Sequence, residues 1–265
     1  MSTATLASTR FGILRSDLAI KIVSGLLILG LWEVGTRLFA APFVARPSGV
    51  VLVFAKVVSD AGFWAAAWSS VHAILSGLAI ALVLGTLIGV IIGRVKTADR
   101  MLGFYVNACF TTPMIAVLPL VAVWFGYDNA ARLATIVFAA LFSVILNVSD
   151  GARSVPLEYL EVGRAYRAKR RQLWFDITLM SALPYLIAGA RLAAGRALIG
   201  TVLAEIYVSL PGMGMFILAN ARGLKQNEAV VGVLLMCLLG LTIEGTMNWI
   251  LRRWFRWYRR EEREA

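Results

Sequence analysis

The chain has 265 residues, of which 60% are hydrophobic and 15% are charged, and its formal net charge at pH 7 is +11. Soluble domains average about 45–50% apolar and about 25% charged residues, so this composition excludes an ordinary soluble globular protein. Two cysteines, Cys109 and Cys237, lie far apart inside apolar runs, and His72 is the only histidine. The sequence therefore predicts neither a disulfide nor a metal site.

Six apolar segments follow one another along the chain, each near the length of about 20 residues that a membrane-spanning helix needs. We place them at residues 22–39, 69–93, 102–125, 133–148, 183–208 and 229–251. Residues 1–21 and 252–265 are tails, and the first segment lacks a small-residue cleavage site, so we interpret it as a retained span. The predicted fold is all-α, a polytopic membrane protein of about six transmembrane helices within residues 22–251.

Between the first two spans, Val50–Val58 has the pattern of a short amphipathic helix at the membrane surface. The second span contains four regularly placed glycines. Small residues let the backbones of membrane helices approach closely, so these positions predict tight packing against another helix. The glycines are Gly77, Gly85, Gly89 and Gly93.

The third span contains two prolines, Pro113 and Pro119. Each proline removes a backbone hydrogen bond. In lipid this is tolerated only where protein or a water-filled cavity satisfies the freed carbonyls. We therefore expect this span inside the bundle, next to a solute path. The following Gly126–Asn129 segment is predicted to be a tight turn.

The basic residues are distributed unevenly between the two sides of the predicted bundle. Eighteen of the 26 Lys and Arg residues fall in the two tails, the 94–100 turn and the 151–182 loop, against five in the segments on the other side. The positive-inside rule therefore predicts that both termini and the 151–182 loop are cytoplasmic. Charge spread over four segments does not resemble a nucleic-acid footprint. Aromatic residues of the C-terminal tail are typical of a membrane-surface belt: Trp254, Phe255, Trp257 and Tyr258.

Several catalytic motifs are absent from the sequence. It has no Gly-Lys dipeptide, hence no GxxxxGK[ST] phosphate loop, and no HExxH or GxSxG arrangement. We predict a protein that is not an enzyme and has no ATPase site of its own. Uphill transport would then draw its energy from an ion gradient or from a partner.

The fifth predicted span contains two deep charged residues, Arg196 and Glu205. Ionisable residues at such positions are functional by default. Arg196 neutralises an anionic solute or pairs with a helix end or a carboxylate, and both interpretations stay open. In an ion-coupled secondary transporter the two residues would act as relays, although no inverted repeat is visible in the sequence.

The longest polar interval of the chain is the 151–182 loop, and it predicts two short helical pieces. Pro156 suits the first turn of one piece, and Leu173, Ile177 and Met180 form an apolar ridge on the other, beside Trp174. Such a basic, amphipathic hairpin lies on anionic lipid or places a helix in the groove of a soluble partner.

The loop resembles the EAA loop of the transmembrane permease subunits of bacterial ABC importers, which docks on an ATPase subunit. Glu161, Ile177 and Leu179 match the Glu, the apolar residue and the Leu of that motif. Val162-Gly163 replaces its Ala-Ala, and Met180 replaces its closing Pro. Arg167 stands where the family has Gly, so it must adopt a conformation that favours glycine or bend the loop differently.

Three further stretches resemble the nitrate, aliphatic-sulfonate and taurine branch of this family: Thr111–Gly126, Ala190–Tyr207 and Ser209–Ile217. The resemblance implies a homodimeric permease subunit of the cell inner membrane, with the 151–182 loop as its coupling-helix loop. It also implies two kinds of partner, an ABC ATPase subunit that binds the ATP and an extracytoplasmic solute-binding protein. No cofactor is expected on this chain.

From the resemblance we assign two sets of site residues. The ATPase-docking set is Glu161, Arg164, Arg167, Leu173, Trp174, Ile177 and Leu179. The translocation-path set is Thr111, Thr112, Pro113, Met114, Arg196, Thr201 and Glu205. The expected cargo is a small anion such as a sulfonate, taurine or nitrate. The alternatives are a thiamine precursor or another small metabolite, an ion-coupled secondary transporter, and a membrane scaffold without transport activity.

Overall fold

The computed structural model describes residues 4–40 and 44–254, and this part of the chain consists of helices and their connections. The first six helices are α1 (Ala4–Phe39), α2 (Pro47–Val58), α3 (Ala61–Arg94), α4 (Lys96–Thr111), α5 (Met114–Phe125) and α6 (Asn129–Arg153). They are followed by α7 (Leu157–Ala165), α8 (Arg170–Gln172), a π-helical turn at Leu173–Leu179, α9 (Met180–Val208), α10 (Met213–Arg222) and α11 (Gln226–Trp254).

Five helical segments of this part of the chain are long and apolar enough to cross a membrane: Ala19–Phe39, Ala61–Arg94, Asn129–Arg153, Arg170–Val208 and Gln226–Trp249. The pair α4–α5 is a sixth candidate, since the two helices together pass the same criteria. This confirms the predicted all-α membrane fold of about six spans.

The described residues form two compact units. The first contains α1, α2 and residues 219–231. Here Glu33 pairs with Arg37 one turn later, at 2.6 Å, and accepts hydrogen bonds from the backbone N–H and the hydroxyl of Ser48 at 3.0 and 2.7 Å. These contacts fix the start of α2 to the end of α1.

The second unit comprises residues 61–218 and 232 onwards, and α6 packs between α3 and α9 in it. The glycines of α3 allow this packing. A Cβ at Gly85 would lie 2.7 Å from the Cβ of Val144, and one at Gly89 would lie 2.9 Å from the carbonyl oxygen of Ile145. The predicted role of these glycines in close helix packing is confirmed.

The predicted third span is not one helix. Its two parts, α4 and α5, are bent by 105° at Thr112–Pro113. Pro113 has no N–H to continue the ladder, and the residue before a proline is driven to extended backbone. Thr112 is extended, with φ −65° and ψ 127°. Pro119 is accommodated inside α5.

The predicted loop contains one separate helix, α7, which begins after Pro156. The second predicted piece is continuous with the fifth span, because helical structure runs unbroken from Arg170 to Val208. Residues 173–182 include neither Gly nor Pro, so nothing in the backbone stops the helix there.

The described part of the predicted N-terminal tail, residues 4–21, belongs to α1. Residues 252–254 continue α11. The rest of the predicted C-terminal tail, with Phe255, Trp257 and Tyr258 of the aromatic belt, lies outside the described residues.

Candidate functional site

The break between α4 and α5 leaves the last carbonyls of α4 without helical partners, as every helix end does. Local hydroxyls satisfy part of them. Thr111 donates to the carbonyl of Ala108 at 3.0 Å, and Thr112 donates to the same oxygen at 2.8 Å. The backbone N–H of Thr112 donates to the carbonyl of Cys109 at 3.3 Å. The two threonine donors are therefore used to close the helix end.

Arg196 of α9 supplies the remaining interaction at this helix end. Its Nη1 donates to the carbonyl of Phe110 at 3.1 Å, and its guanidinium carbon lies 3.9 Å from the centroid of the Phe110 ring. A cation is favoured both at a helix C-terminus and over an aromatic face. Arg196 thus pairs with a helix end, which is one of the two interpretations that the sequence left open.

A cavity of about 260 Å³ opens beside this contact. Its lining consists of one cationic, one hydroxyl-bearing, two sulfur-containing and four apolar side chains. These are Cys109, Thr112, Met114, Phe138, Ala139, Phe142, Arg196 and Ile199. The combination provides one fixed positive charge in an apolar surround.

The structure brings three residues of the predicted path set together at this cavity, namely Thr112, Met114 and Arg196. Thr111 and Pro113 flank it as exposed residues at the helix break. Thr201 does not line it, because this residue is fully buried and its hydroxyl donates to the carbonyl of Ala197 at 2.8 Å.

Sequence reasoning missed five lining residues. Periodicity could have identified three of them. Phe138 and Phe142 are one turn apart on α6, with ring centroids 5.1 Å apart in an edge-to-face pair. Ile199 lies three residues after Arg196, on the same face of α9. Cys109 and Ala139 carry no comparable signal.

Glu205, the other deep charge of α9, is fully buried in a separate polar cluster. Its Oε1 accepts from the hydroxyl of Ser70 at 2.7 Å and from Arg132 at 3.4 Å. Its Oε2 accepts from the backbone N–H of Gly214 at 2.8 Å. The Ser70 hydroxyl in turn accepts from the N–H of Met213 at 2.8 Å.

This cluster shapes the turn between α9 and α10. Ser209 has a positive φ of 58°, and the backbone N–H of Leu210 donates to the Glu205 carbonyl at 3.1 Å. A Cβ on Gly212 would overlap the Glu205 carboxylate, so a larger residue there would displace the carboxylate from its hydrogen bonds to Ser70 and Gly214. Glu205 therefore holds the turn in place and does not line the cavity beside Arg196.

The predicted ATPase-docking residues separate into three groups in the structure. Glu161, Arg164 and Arg167 are exposed on or just after α7. Leu173 and Ile177 meet α7 at Gly163, where an added Cβ would lie 2.7 Å from Leu173 Cδ2 and 3.1 Å from Ile177 Cδ1. Trp174 and Leu179 line a cavity together with residues of α3.

Arg167 adopts the left-handed backbone conformation, with φ 55°. It follows α7 in a Schellman arrangement. The N–H of Arg167 donates to the carbonyl of Arg164, and the N–H of Ala168 donates to the carbonyl of Gly163, both at 2.9 Å. Arg167 takes the conformation that favours glycine, as expected for the family's glycine position.

Residues 81–256 match the model of a protein family described as "Binding-protein-dependent transport system inner membrane component". An aliphatic sulfonates transport permease protein, SsuC of Bacillus subtilis, is 27% identical over 233 residues, or 87% of this chain and 84% of that protein. The formylaminopyrimidine transport permease protein ThiX of Halalkalibacterium halodurans is 27% identical over 217 residues, or 82% of this chain and 86% of that protein.

A solved structure shares the fold. One chain of the MetNI methionine ABC transporter, solved in inward-facing conformations, superposes with a TM-score of 0.62. The alignment covers 70% of this chain and 92% of that chain, at 19% sequence identity.

Proposed function

This chain belongs to the family of binding-protein-dependent transport system inner membrane components, and from that membership we propose that it conducts a small anion as the permease subunit of an ABC importer. The proposed cargo is a sulfonate, taurine or a nitrate-like ion. The sulfonate permease protein among its relatives supports this cargo class.

The observation that carries the anion proposal is the unpaired charge of Arg196. Within residues 4–40 and 44–254, Arg196 forms no ion pair with a carboxylate. Its interactions with Phe110 use a carbonyl and a ring, which leave its full positive charge in place. A cation in an apolar cavity of a membrane protein is costly, and an anion entering the cavity would offset that cost.

The energy source that we propose is ATP hydrolysis on a partner subunit, because this sequence has no phosphate loop. The exposed helix α7 would dock in a groove of that ATPase, on the cytoplasmic side where both termini also lie. The chain itself would bind no cofactor. A second copy of the chain would complete the path, and an external binding protein would deliver the solute at the inner membrane.

The helical run from Arg170 to Val208 explains how docking would reach the cavity. Leu173 and Ile177 near its start pack on α7, and Arg196 lies 23 residues after Leu173 on the same helix. At about 1.5 Å per residue, Leu173 and Arg196 are about 35 Å apart. A displacement of α7 by the ATPase would therefore be passed to Arg196 along one continuous helix, which accommodates Pro184 without a break.

The test is uptake of radiolabelled taurine, an alkyl sulfonate and nitrate into proteoliposomes that contain the chain, its ATPase and its binding protein. We expect Arg196→Gln to abolish uptake of the transported anion and Arg196→Lys to retain part of it. Lys56→Gln, which removes an exposed charge at the end of α2, is the control. Anion uptake that survives in Arg196→Gln would contradict the proposal.

A second cargo class is favoured by one observation. The Phe138 and Phe142 rings line the same cavity, and aromatic surfaces suit a flat, neutral ring such as the formylaminopyrimidine carried by ThiX. Competition against uptake of a radiolabelled formylaminopyrimidine decides between the two classes. If the unlabelled compound blocks this uptake and no anion does, the chain transports a thiamine precursor.

A further inference from the structure

A second cavity, of about 260 Å³, lies between α3 and the start of the long helix that begins at Arg170. Leu87, Val90 and Ile91 form its wall on α3, and Trp174, Phe175 and Leu179 form the opposite wall. We call it the α3 groove. It is separate from the cavity beside Arg196, with which it shares no lining residue.

The π-helical turn at Leu173–Leu179 builds one wall of this groove. In an α-helix, residues five apart point about 140° away from each other. In a π-helix the hydrogen bonds join residues five apart, so these residues stack on one face. The turn thereby places Trp174 and Leu179 side by side on the wall of the groove opposite α3. The Thr178 hydroxyl, which donates to the Leu173 carbonyl at 3.0 Å, supports the same turn.

The position of the groove along α3 gives its depth in the membrane. α3 ends at Arg94, and its groove residues, from Thr86 to Ile91, lie three to eight positions before that end, which is about 5–12 Å at 1.5 Å per residue. One leaflet of hydrocarbon is about 15 Å thick. The groove therefore opens at the depth of acyl chains, close to one membrane surface.

Two cations stand at the rim of the groove. Arg170 and Arg171 are exposed and contribute to its lining. The guanidinium carbon of Arg171 lies 5.9 Å from the centroid of the Phe175 ring. Among the described residues, neither arginine forms an ion pair. The groove thus joins an apolar floor to two uncompensated positive charges.

We propose that this groove is a binding site for an anionic phospholipid. The lipid phosphate lies on Arg170 and Arg171, and one acyl chain lies between α3 and the π-helical turn. Charge complementarity selects an anionic headgroup, and the depth of the floor requires an acyl chain instead of a soluble ligand. The charge distribution along the sequence assigns this surface to the cytoplasmic leaflet. The site does not depend on which solute the permease carries.

Fluorescence quenching of Trp174 tests the proposal on the full-length chain. The chain is placed in nanodiscs that contain a rising fraction of phosphatidylglycerol or phosphatidylcholine with brominated acyl chains, since bromine quenches a tryptophan that it touches. Subtracting the signal of the Trp174→Phe variant isolates Trp174. Native mass spectrometry of the purified chain counts retained phosphatidylglycerol and does not require Trp174.

Each cationic residue near an anionic lipid contributes about five-fold in affinity. We expect half-maximal quenching at an about 25-fold lower fraction of brominated phosphatidylglycerol than of brominated phosphatidylcholine. Arg170→Gln or Arg171→Gln lowers this preference about five-fold, and the double variant abolishes it. Arg164→Gln, which removes an exposed charge on α7 outside the groove, leaves it unchanged.

Three results would overturn the proposal. Equal quenching by the two lipids in the unaltered chain excludes headgroup selection. A preference that survives in the double variant excludes the two arginines. If Arg164→Gln lowers the preference for phosphatidylglycerol as much as Arg170→Gln or Arg171→Gln does, diffuse surface charge, and not this groove, attracts the lipid. A variant counts only if its elution profile in size-exclusion chromatography matches that of the unaltered chain.

Discussion

Arg196 contacts Phe110 twice, through the backbone carbonyl at 3.1 Å and through the face of the ring at 3.9 Å. The two residues are 86 positions apart in the sequence, and the contact exists because Pro113 ends α4 in the middle of a span. One arginine therefore closes a helix end and contributes the charge of the adjacent cavity.

Removing only the ring of Phe110 separates these roles. In Phe110→Leu the carbonyl contact remains while the cation–π contact is lost, so we expect the free energy of unfolding to fall by about 1 kcal/mol. A less restrained guanidinium should also lower the affinity for the transported solute. Unfolding in mixed detergent micelles measures the first effect, and the KM of uptake measures the second. Phe104→Leu, at an exposed ring, is the control and should change neither.

The Glu205 cluster predicts a large loss of stability. Glu205→Ala leaves Arg132 without its carboxylate and the N–H of Gly214 without its acceptor, and breaking a buried pair in this way costs about 3–5 kcal/mol. Glu205→Gln keeps acceptor capacity and should cost less. Thermal unfolding in detergent distinguishes the three proteins. The matched control, Glu158→Ala on the exposed face of α7, should stay within about 0.5 kcal/mol.

If Glu205 were instead a transport relay, Glu205→Ala would abolish uptake while leaving the unfolding temperature unchanged. That result would contradict the structural role assigned by its hydrogen bonds to Ser70 and Gly214.

The left-handed backbone of Arg167 predicts a stabilising substitution. A side chain with a Cβ at this φ costs about 1 kcal/mol relative to glycine. Arg167→Gly should therefore raise the stability of the α7 segment, which hydrogen exchange of the amides of Tyr166, Arg167 and Ala168 reports. Arg167→Ala removes the same charge but keeps the Cβ, so it should give no gain. Equal gains in both variants would attribute the effect to charge.

The packing of α3 on α6 predicts different outcomes at two glycines. Gly89→Ala drives a methyl group towards the carbonyl of Ile145, which is backbone and cannot swing away, so we expect a loss of about 1–3 kcal/mol. Gly195→Ala, on α9, meets no atom within 4 Å. It should be neutral or stabilise the helix by up to about 1 kcal/mol. If Gly89→Ala leaves the free energy of unfolding unchanged, α3 and α6 can move apart without loss of stability.

The proposed docking of α7 predicts uncoupling. Glu161→Ala should reduce solute uptake per ATP hydrolysed while leaving the unfolding temperature unchanged, because Glu161 is exposed. Leu173→Ala should also loosen α7, since Leu173 packs at Gly163. Glu244→Gln, at an exposed carboxylate of α11, is the control. Unchanged coupling in Glu161→Ala would contradict the assignment of α7.

Helix type and membrane class were predictable because hydrophobic length and glycine spacing are properties of consecutive residues. The loss of a backbone hydrogen bond at Pro113 was predictable for the same reason, since proline acts on its own backbone. The 105° bend was not, because the packing around the break sets its size.

The environment of the charged residues could not be read from the chain. Arg196 and Glu205 lie nine positions apart on one helix and look equivalent in the sequence, yet one lines a cavity and the other is sealed by Ser70 and Arg132. Their partners come from other helices, so only the tertiary structure separates them. The orientation of Trp174 was also not predictable, because it depends on a π-helical turn for which the sequence has no signal. This turn directs Trp174 towards the cavity that α3 also lines.

The unbroken helix from Arg170 to Val208 also fixes the rotation, about the helix axis, of its loop end relative to the residues that line the cavity. Deleting one residue between Met180 and Arg196 rotates the two ends by about 100° against each other and turns Arg196 away from Phe110. The π-helical turn contains one more residue than an α-helical segment that rotates the chain by the same angle. Deleting one residue there converts the turn to α-helix and leaves the orientation of the two ends unchanged. This turn is therefore the place where the helix tolerates a change in length.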